Sequence, residues 1–561
     1  MKIHDAVGQF LIEQEVETVF TLMAEDIFGI TAGLQATAGD GVRVVETRHE
    51  QCAVAEADGY SRATDDIGVA VVGRGPAIAQ TGTALRTADE KSSKTLVITS
   101  DTPHTATQDV KGFSQQAFLE SLVSDVRSVR DPTSLLPAFV DIFHTLRQNG
   151  GPIVVQIPWD VMETEAELPE GWEERIANAG TAIHDRSHLE PPEEDIEQTI
   201  ELLLDSDAEI PMTILAGNGA VTQEAKAAIE SLAERTSAIL LSTLQANGLF
   251  SEHPYSPGFV GTFGTPLANE SLAQSEFVLA VGCSLNDHTT DNGRLINESA
   301  TVVHVNTDPS AINRHLTVDY GIVGDVTTVV SRLDEALASA GIDRGERFWT
   351  PRLKRRVAES PRWTEQTIVK RPDRIDQREL VTRLDSLLPE DRFVVTDGGH
   401  FINWVLDGIQ IQHPDDYEWT IDFGAVGVGL PISIGAAMAG VDRTVVAFCG
   451  DSGFLMSSPE LDTAVRHGLG LIIIVMNDDA LGSEYHQLQN KRMAKETAIV
   501  ETPDIAALAN ANGATGHRIE SVDDLERIAP ALKATPENPV VLDCKIERDV
   551  RHRFYDTDHM M

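Results

Sequence analysis

The feature that most constrains this chain is a recurrent short apolar run, rich in Val and Ile and free of polar alternation. Examples are Gly68-Val69-Ala70-Val71-Val72, Thr95-Leu96-Val97-Ile98-Thr99, Pro152-Ile153-Val154-Val155-Gln156-Ile157, Phe277-Val278-Leu279-Ala280-Val281 and Leu471-Ile472-Ile473-Ile474-Val475-Met476. Runs of this length are strands rather than long helices. A strand apolar on both faces belongs to a parallel sheet covered on both sides. Helical patterns such as Glu50 to Ala63 lie between the runs, as the crossovers of parallel strands require. The expected fold class is α/β, with doubly wound parallel sheets.

At about 150 residues per domain, 561 residues predict roughly three or four domains. Composition shifts place the boundaries. Residues 164–195 are rich in Glu, Pro and Asp and read as a linker, and a charged stretch near 343–375 reads as another. Three doubly wound domains result, over 1–165, 190–340 and 370–545. The middle one carries strands at Met212-Thr213-Ile214-Leu215 and Val302-Val303-His304-Val305. The third carries strands at Phe393-Val394-Val395-Thr396 and Thr444-Val445-Val446-Ala447-Phe448.

Charge excludes several function classes. With 88 acidic and 44 basic residues, the formal net charge is −44. That field repels nucleic-acid phosphates and anionic membranes, so neither is an expected partner. The acids are spread along the chain, and salt screens their mutual repulsion. They read as adaptation to a high-salt cytoplasm. No run of about 20 apolar residues appears, so no membrane span is expected. Met1-Lys2-Ile3-His4-Asp5 lacks the basic-then-apolar pattern of a secretory signal. Cys52, Cys283, Cys449 and Cys544 are too scattered for a metal knuckle and are expected to be reduced thiols. The expected location is cytoplasmic.

The chemistry concentrates in the third domain. A strand ends at Phe448 and is followed by Gly450-Asp451-Ser452-Gly453-Phe454, a helical pattern, a second strand, and then Asn477-Asp478. In a βαβ unit both acids sit just past strand carboxyl ends, where parallel sheets bind ligands. Two carboxylates and a loop carbonyl suit a hard cation such as Mg2+. The Gly450–Gly453 turn offers backbone N–H groups to phosphate.

This segment resembles the thiamin diphosphate motif, Gly-Asp-Gly followed one helix later by Asn-Asn. Ser452 and Asp478 depart from it. Serine tolerates positive φ less well than glycine, so the turn is expected to alter; Asp478 keeps an oxygen ligand. Other landmarks follow in order: Arg48-His49-Glu50-Gln51, Ala57-Asp58-Gly59-Tyr60-Ser61-Arg62-Ala63, Gly75-Pro76-Ala77, Gly217-Asn218-Gly219, His304-Val305-Asn306-Thr307-Asp308-Pro309 and Gly424-Ala425-Val426-Gly427-Val428-Gly429-Leu430-Pro431. Over nearly its whole length the chain resembles the acetolactate synthase and 2-oxo-acid decarboxylase family.

The resemblance implies thiamin diphosphate and Mg2+ as cofactors, with Asp451, Asp478 and the backbone carbonyl of Ala480 as metal ligands. Gly398, Gly399, His400, Gly424, Gly450, Ser452 and Gly453 would line the diphosphate, with His400 replacing the family's usual Gln. Val426 would bend the cofactor into its V shape. Glu50 would hydrogen-bond the aminopyrimidine ring and drive deprotonation of the thiazolium. Burial in an apolar pocket would raise its pKa for that task.

The resemblance leaves the reaction open between two outcomes. The motifs as a whole are acetolactate synthase-like. Yet Leu22-Met23-Ala24-Glu25 replaces the synthases' Pro-Gly-Gly turn, and Gln487 replaces the Trp that selects their second substrate. Gly282-Cys283-Ser284-Leu285-Asn286-Asp287-His288 lacks their Arg-Phe-Asp-Asp-Arg pattern, which argues against FAD. Glu25 and Glu484 match acids of the decarboxylases and could deliver the proton that releases an aldehyde. Those enzymes' paired histidines are not visible, His104 being single and out of register. Gln115 lies near the synthases' active-site Gln. The substrate class is a small 2-oxo acid. A homodimer or homotetramer is implied, and whether a regulatory subunit joins it is open. A nicotinamide-binding dehydrogenase is disfavoured because no Gly-x-Gly-x-x-Gly follows the first strand, and a non-catalytic regulatory or structural relative is disfavoured because Glu50 and the expected metal ligands are all present.

Overall fold

The computed structural model describes residues 1–180, 189–205, 211–345, 347–360, 363 and 367–556. Three six-stranded sheets organise them, and every registered strand pair is parallel. The first holds β1 (Thr18–Leu22), β2 (Arg43–Glu46), β3 (Gly68–Val72), β4 (Thr95–Asp101), β5 (Asp125–Ser128) and β6 (Ile153–Pro158), in the order β2-β1-β3-β4-β6-β5. The second holds β7 (Met212–Ala216), β8 (Ile239–Ser242), β9 (Gly258–Phe259), β10 (Phe277–Val281), β11 (Thr301–Asn306) and β12 (Tyr320–Val323), in the order β12-β11-β10-β7-β8-β9. The third holds β13 (Arg392–Thr396), β14 (Tyr417–Trp419), β15 (Thr444–Gly450), β16 (Leu471–Asn477), β17 (Thr515–Ile519) and β18 (Val540–Lys545), in the order β14-β13-β15-β16-β18-β17.

Renumbered from its own first strand, the third sheet repeats the order of the first. The second has the dinucleotide-binding order 3-2-1-4-5-6. The apolar runs are the central strands, and β3 and β16 are buried along their whole length. Among the described residues, no helix is long and apolar enough to cross a membrane.

Two compact units emerge. One comprises Met1–Ile183, Lys370–Ile402 and Glu418–Asp549; the other comprises His184–Val369, Asn403–Tyr417 and Val550–Met561. The first and third sheets thus share a unit, and the segment 403–417, expected to lie within the third domain, belongs to the unit of the second sheet. In the first unit, helices Glu50–Thr64 and Gly429–Met438 cross in backbone contact. A Cβ on Gly59 would lie 2.1 Å from the Ile432 carbonyl oxygen, and one on Gly435 would lie 1.9 Å from that of Glu56. No side chain fits at either glycine. The apolar core built on these helices runs continuously between the two sheets, from Ala70 and Val97 to Val445 and Ile473.

The acidic stretch expected as a linker is in part structured. Trp172–Ala177 is helical, with Trp172 and Ile176 buried in the first domain and the Trp172 ring 5.3 Å from Phe10. Two apolar residues one helical turn apart suffice to dock it against the core. Residues 181–188 of that stretch lie outside the described residues. In the second expected linker, Pro351–Glu359 is helical and Trp349 stacks on Tyr255 at 4.6 Å. Its positions 346, 361–362 and 364–366 lie outside the described residues.

Candidate active site

Three acids stand just past neighbouring strand ends of the third sheet. Asp397 follows β13, Asp451 follows β15 and Asp478 follows β16, and all three are buried. The β15–β16 register pairs Gly450 with Met476, which sets Asp451 and Asp478 side by side.

Backbone amides hold all three. Asp397 accepts from Gly398 N–H at 2.9 Å and from Gly427 N–H at 2.9 and 3.1 Å. Asp451 accepts from Ser452 N–H at 2.6 Å and Asp479 N–H at 3.0 Å, and Asp478 accepts from Ala480 N–H at 3.0 Å. Among the described residues, none of the three forms an ion pair with Lys, Arg or His. Burial pushes Asp397 up to about 6 against the pull of its amides. Burial and then mutual repulsion raise Asp478, and burial is also the main cause of the rise at Asp451. A buried carboxylate pair with no cation stores a large unfavourable energy. A divalent ion between them would offset it.

The neighbouring Asp479 behaves differently. Its carboxylate turns to Thr502, Arg374 at 2.6 Å and Lys545 at 3.1 Å. Burial would raise it, but those partners outweigh burial and hold it well below the usual carboxylate range. Asp479 is therefore engaged by ion-pair partners within the chain, whereas Asp478 is not. Ala480 pairs with Ile499 across an isolated antiparallel bridge. The ladder bonds there belong to its neighbours, Leu481 N–H to Ala498 O and Val500 N–H to Asp479 O. In such a pair the carbonyl points away from the partner segment, which leaves the Ala480 oxygen on the side of Asp478.

The glycines are explained by close approach. A Cβ on Gly453 would lie 2.3 Å from Asp397 Oδ2 and 3.1 Å from Val426 Cγ1, and one on Gly398 would lie 3.1 Å from Val426 Cγ2. Val426 thus sits between the two loops expected to take the diphosphate, and it is 38% exposed. Its own loop turns through Gly424 at φ 75° and Gly427 at φ 87°, where a side chain is strained. Ser452 sits in the first turn of a helix without left-handed strain. Helix Asp451–Ser457 begins one residue earlier, and Ser452 has no positive φ. The expected alteration of the turn does not occur.

Two site residues were not read from the sequence. Asp397 stands in the same position relative to β13 as Asp451 does to β15, so its signal was there. His486 had none. It lies on helix Gly482–Asn490, far along the chain from His400. The two buried imidazoles meet with ring centroids 4.3 Å apart. A Cβ on Gly482 would lie 2.5 Å from Asp478 Oδ2 and 3.2 Å from His400 Cβ, which places this pair beside Asp478. A histidine pair does exist, in the third domain.

The first sheet positions the other candidates. Glu50 opens its helix as expected, with His49 Nδ1 capping Gln51 N–H at 3.1 Å. It is not buried in an apolar pocket within this chain. It is half-exposed, and its Oε2 accepts from Gln80 Nε2 at 3.1 Å. Glu25, after β1, and Glu484, near the start of the His486 helix, are both exposed. Gln115 is buried with its amide fully engaged. Its Oε1 accepts from Gly75 N–H at 3.0 Å, and its Nε2 donates to Ser100 O and Gln156 Oε1, both at 2.8 Å. In this arrangement it anchors the Gly75 turn.

Comparison with known proteins agrees with this geometry. Residues 1–124, 196–333 and 397–544 match, in that order, the N-terminal TPP binding, central and C-terminal TPP binding domains of thiamine pyrophosphate enzymes. The chain belongs to the thiamine pyrophosphate enzyme family, and within it is acetolactate synthase-like. It is 29% identical over 526 residues to acetolactate synthase of Arthrospira platensis, covering 90% of this chain and 86% of that one. It is 27% identical over 559 residues to acetolactate synthase isozyme 3 large subunit of Escherichia coli, covering 96% and 93%. In fold it is similar to benzoylformate decarboxylase from Polynucleobacter necessarius, with TM-score 0.80, 17% identity and 98% and 99% of the chains covered. The thiamine diphosphate-dependent 4-hydroxybenzoylformate decarboxylase of Rhodococcus jostii RHA1 gives TM-score 0.79 at 19% identity, with the same coverage.

Proposed function

We propose that this chain is a thiamin diphosphate- and Mg2+-dependent enzyme that decarboxylates a 2-oxo acid and joins the remainder to a second one, in the manner of acetolactate synthase. The observation that carries the reading is the buried pair of Asp451 and Asp478, without an ion-pair partner among the described residues, beside a glycine cradle. Asp451, Asp478 and the Ala480 carbonyl hold the metal, because an all-oxygen set favours a hard cation. Gly450, Ser452, Gly453, Gly398, Gly399, Gly424 and His400 line the diphosphate, and the amides at the start of helix Asp451–Ser457 favour its charge. Val426, held between Gly398 and Gly453, supports the bend. When bound, thiamin diphosphate supplies the nucleophilic carbon and the electron sink for loss of CO2. Glu50 handles the proton that frees that carbon.

Large apolar side chains stand exposed around both halves of the site. Met23, Phe28, Val110 and Phe113 do so on the first domain, and Phe423, Met456 and Leu481 on the third. A second copy of the chain that covers them would also bury Glu50, so the working enzyme is at least a homodimer. Simple decarboxylation is the second reading. It is favoured by Glu484, exposed near the start of its helix shortly after Asp478, as a proton donor. A panel of 2-oxo acids with thiamin diphosphate and Mg2+, scored for CO2, aldehyde and acyloin, separates the two. Acyloin with little aldehyde supports carboligation; aldehyde alone supports decarboxylation; no CO2 from any 2-oxo acid overturns both.

A further inference from the structure

The helix that Glu50 opens also carries Arg62 near its other end, and Arg62 is the centre of a buried charge network. Its side chain is 1% exposed. Nε donates to Asp58 Oδ1 at 2.7 Å, and Nη1 donates to Glu418 Oε1 at 2.7 Å, Asp422 Oδ2 at 2.9 Å and the Trp419 carbonyl at 3.1 Å. Lys91 Nζ adds a second cation on Glu418 at 2.9 Å. Three carboxylates therefore share two cations, of which Arg62 is sealed from solvent and Lys91 is partly exposed. Burying such a group costs several kcal/mol per ion before the attraction repays it. A helix and a strand could dock through apolar contacts at lower cost, so the network does more than join them.

Its placement indicates what. Asp422 immediately precedes Phe423 and Gly424, where the loop that carries Val426 begins. The far end of that loop is fixed by the two bonds from Gly427 N–H to Asp397. From Asp422 to the far anchor the loop has positive φ at Gly424 and at Gly427 itself, with Phe423 and Val426 exposed between. A loop of that kind is free to shift unless both ends are held.

We propose that Arg62 is a positioning residue: by gripping Asp422 it fixes the near end of the cofactor loop and so sets where Val426 stands between Gly398 and Gly453. This role rests on the site reading given above. The test compares two isosteric substitutions on the same guanidinium. Asp422→Asn weakens the bond to the loop, and Asp58→Asn weakens one made within the helix. Thiamin diphosphate with Mg2+ is titrated into each full-length variant by calorimetry, and the thermal midpoint of each is recorded without cofactor. The expected result is a loss of affinity of about tenfold in Asp422→Asn, as for other outer partners of a ligand site, and of less than about twofold in Asp58→Asn, with similar falls in midpoint. Arg62→Lys, which keeps charge but loses the fork, is expected to follow Asp422→Asn in affinity. Equal affinity losses in the two Asn variants, or none in Asp422→Asn, overturn the positioning role. A wild-type chain that binds no thiamin diphosphate overturns the site reading and this role with it.

Discussion

The first and third domains share one strand order, yet their strand ends are furnished differently. In the first, Asp26 after β1 is buried and balanced. It accepts from Arg74 N–H at 2.9 Å and from the Lys111 ammonium at 3.0 Å, and Arg74 itself pairs with Asp109. In the third, Asp397, Asp451 and Asp478 are buried with backbone amides as their main partners, and among the described residues none of them forms an ion pair with Lys, Arg or His. The contrast between a balanced acid in one copy of the topology and unbalanced acids in the other supports the proposed cation site in the third domain. On the proposed reading, the first domain would contribute proton handling through Glu50, and the third would contribute cofactor binding.

The largest effect expected from this division is on turnover. Glu50→Gln removes the proton-transfer group and should lower turnover by about 10²-fold or more, while thiamin diphosphate affinity stays within a few-fold. Steady-state kinetics with calorimetry check this. A large affinity loss at near-normal turnover would erase the distinction between the domains.

A smaller effect sharpens it on the stability side. Glu56, on the Glu50 helix, is fully buried, and burial and then Glu460 push its carboxyl well above the usual range. The folded chain keeps this proton where the unfolded chain releases it, near pH 4.5. The stabilisation is complete below that pH and is lost as pH rises toward the folded value. The loss is at most about 1.4 kcal/mol per pH unit. Glu56→Gln should flatten that fall between about pH 5 and pH 7, read by chemical denaturation at fixed pH values. An unchanged slope would show that Glu56 is charged in the fold.

The smallest effect is spread over the surface. With a net charge of −44, the thermal midpoint should rise by several degrees between low salt and molar KCl as repulsion is screened. A flat or falling midpoint would remove the high-salt reading.

Sequence made the scaffold legible where physics leaves one choice. Doubly apolar runs have no other home than a covered parallel sheet, so β3, β10 and β16 stand where their Val and Ile residues put them. The Gly-Asp turn and Asn477-Asp478 were legible because both lie within one βαβ unit. Contacts between distant segments were not. His400 and His486 come together only through the third sheet, and Arg62 reaches Glu418 and Asp422 only because Gly59 and Gly435 let two helices touch. The helix at Trp172 was hidden because a mostly acidic composition outweighed its two docking residues.

The central claim is that Asp451 and Asp478 would hold a divalent ion on which thiamin diphosphate binding depends. Calorimetric titration of thiamin diphosphate into the full-length chain, with Mg2+ and then with EDTA, tests it most directly when repeated on Asp451→Ala and Asp478→Asn. The account predicts tight binding with Mg2+ and loss of binding in EDTA. It also predicts that affinity falls by about 100-fold or more in Asp451→Ala, with the fold retained, and changes little in Asp478→Asn, which keeps an oxygen ligand. Binding that ignores EDTA, or an Asp451→Ala chain with wild-type affinity, would contradict it.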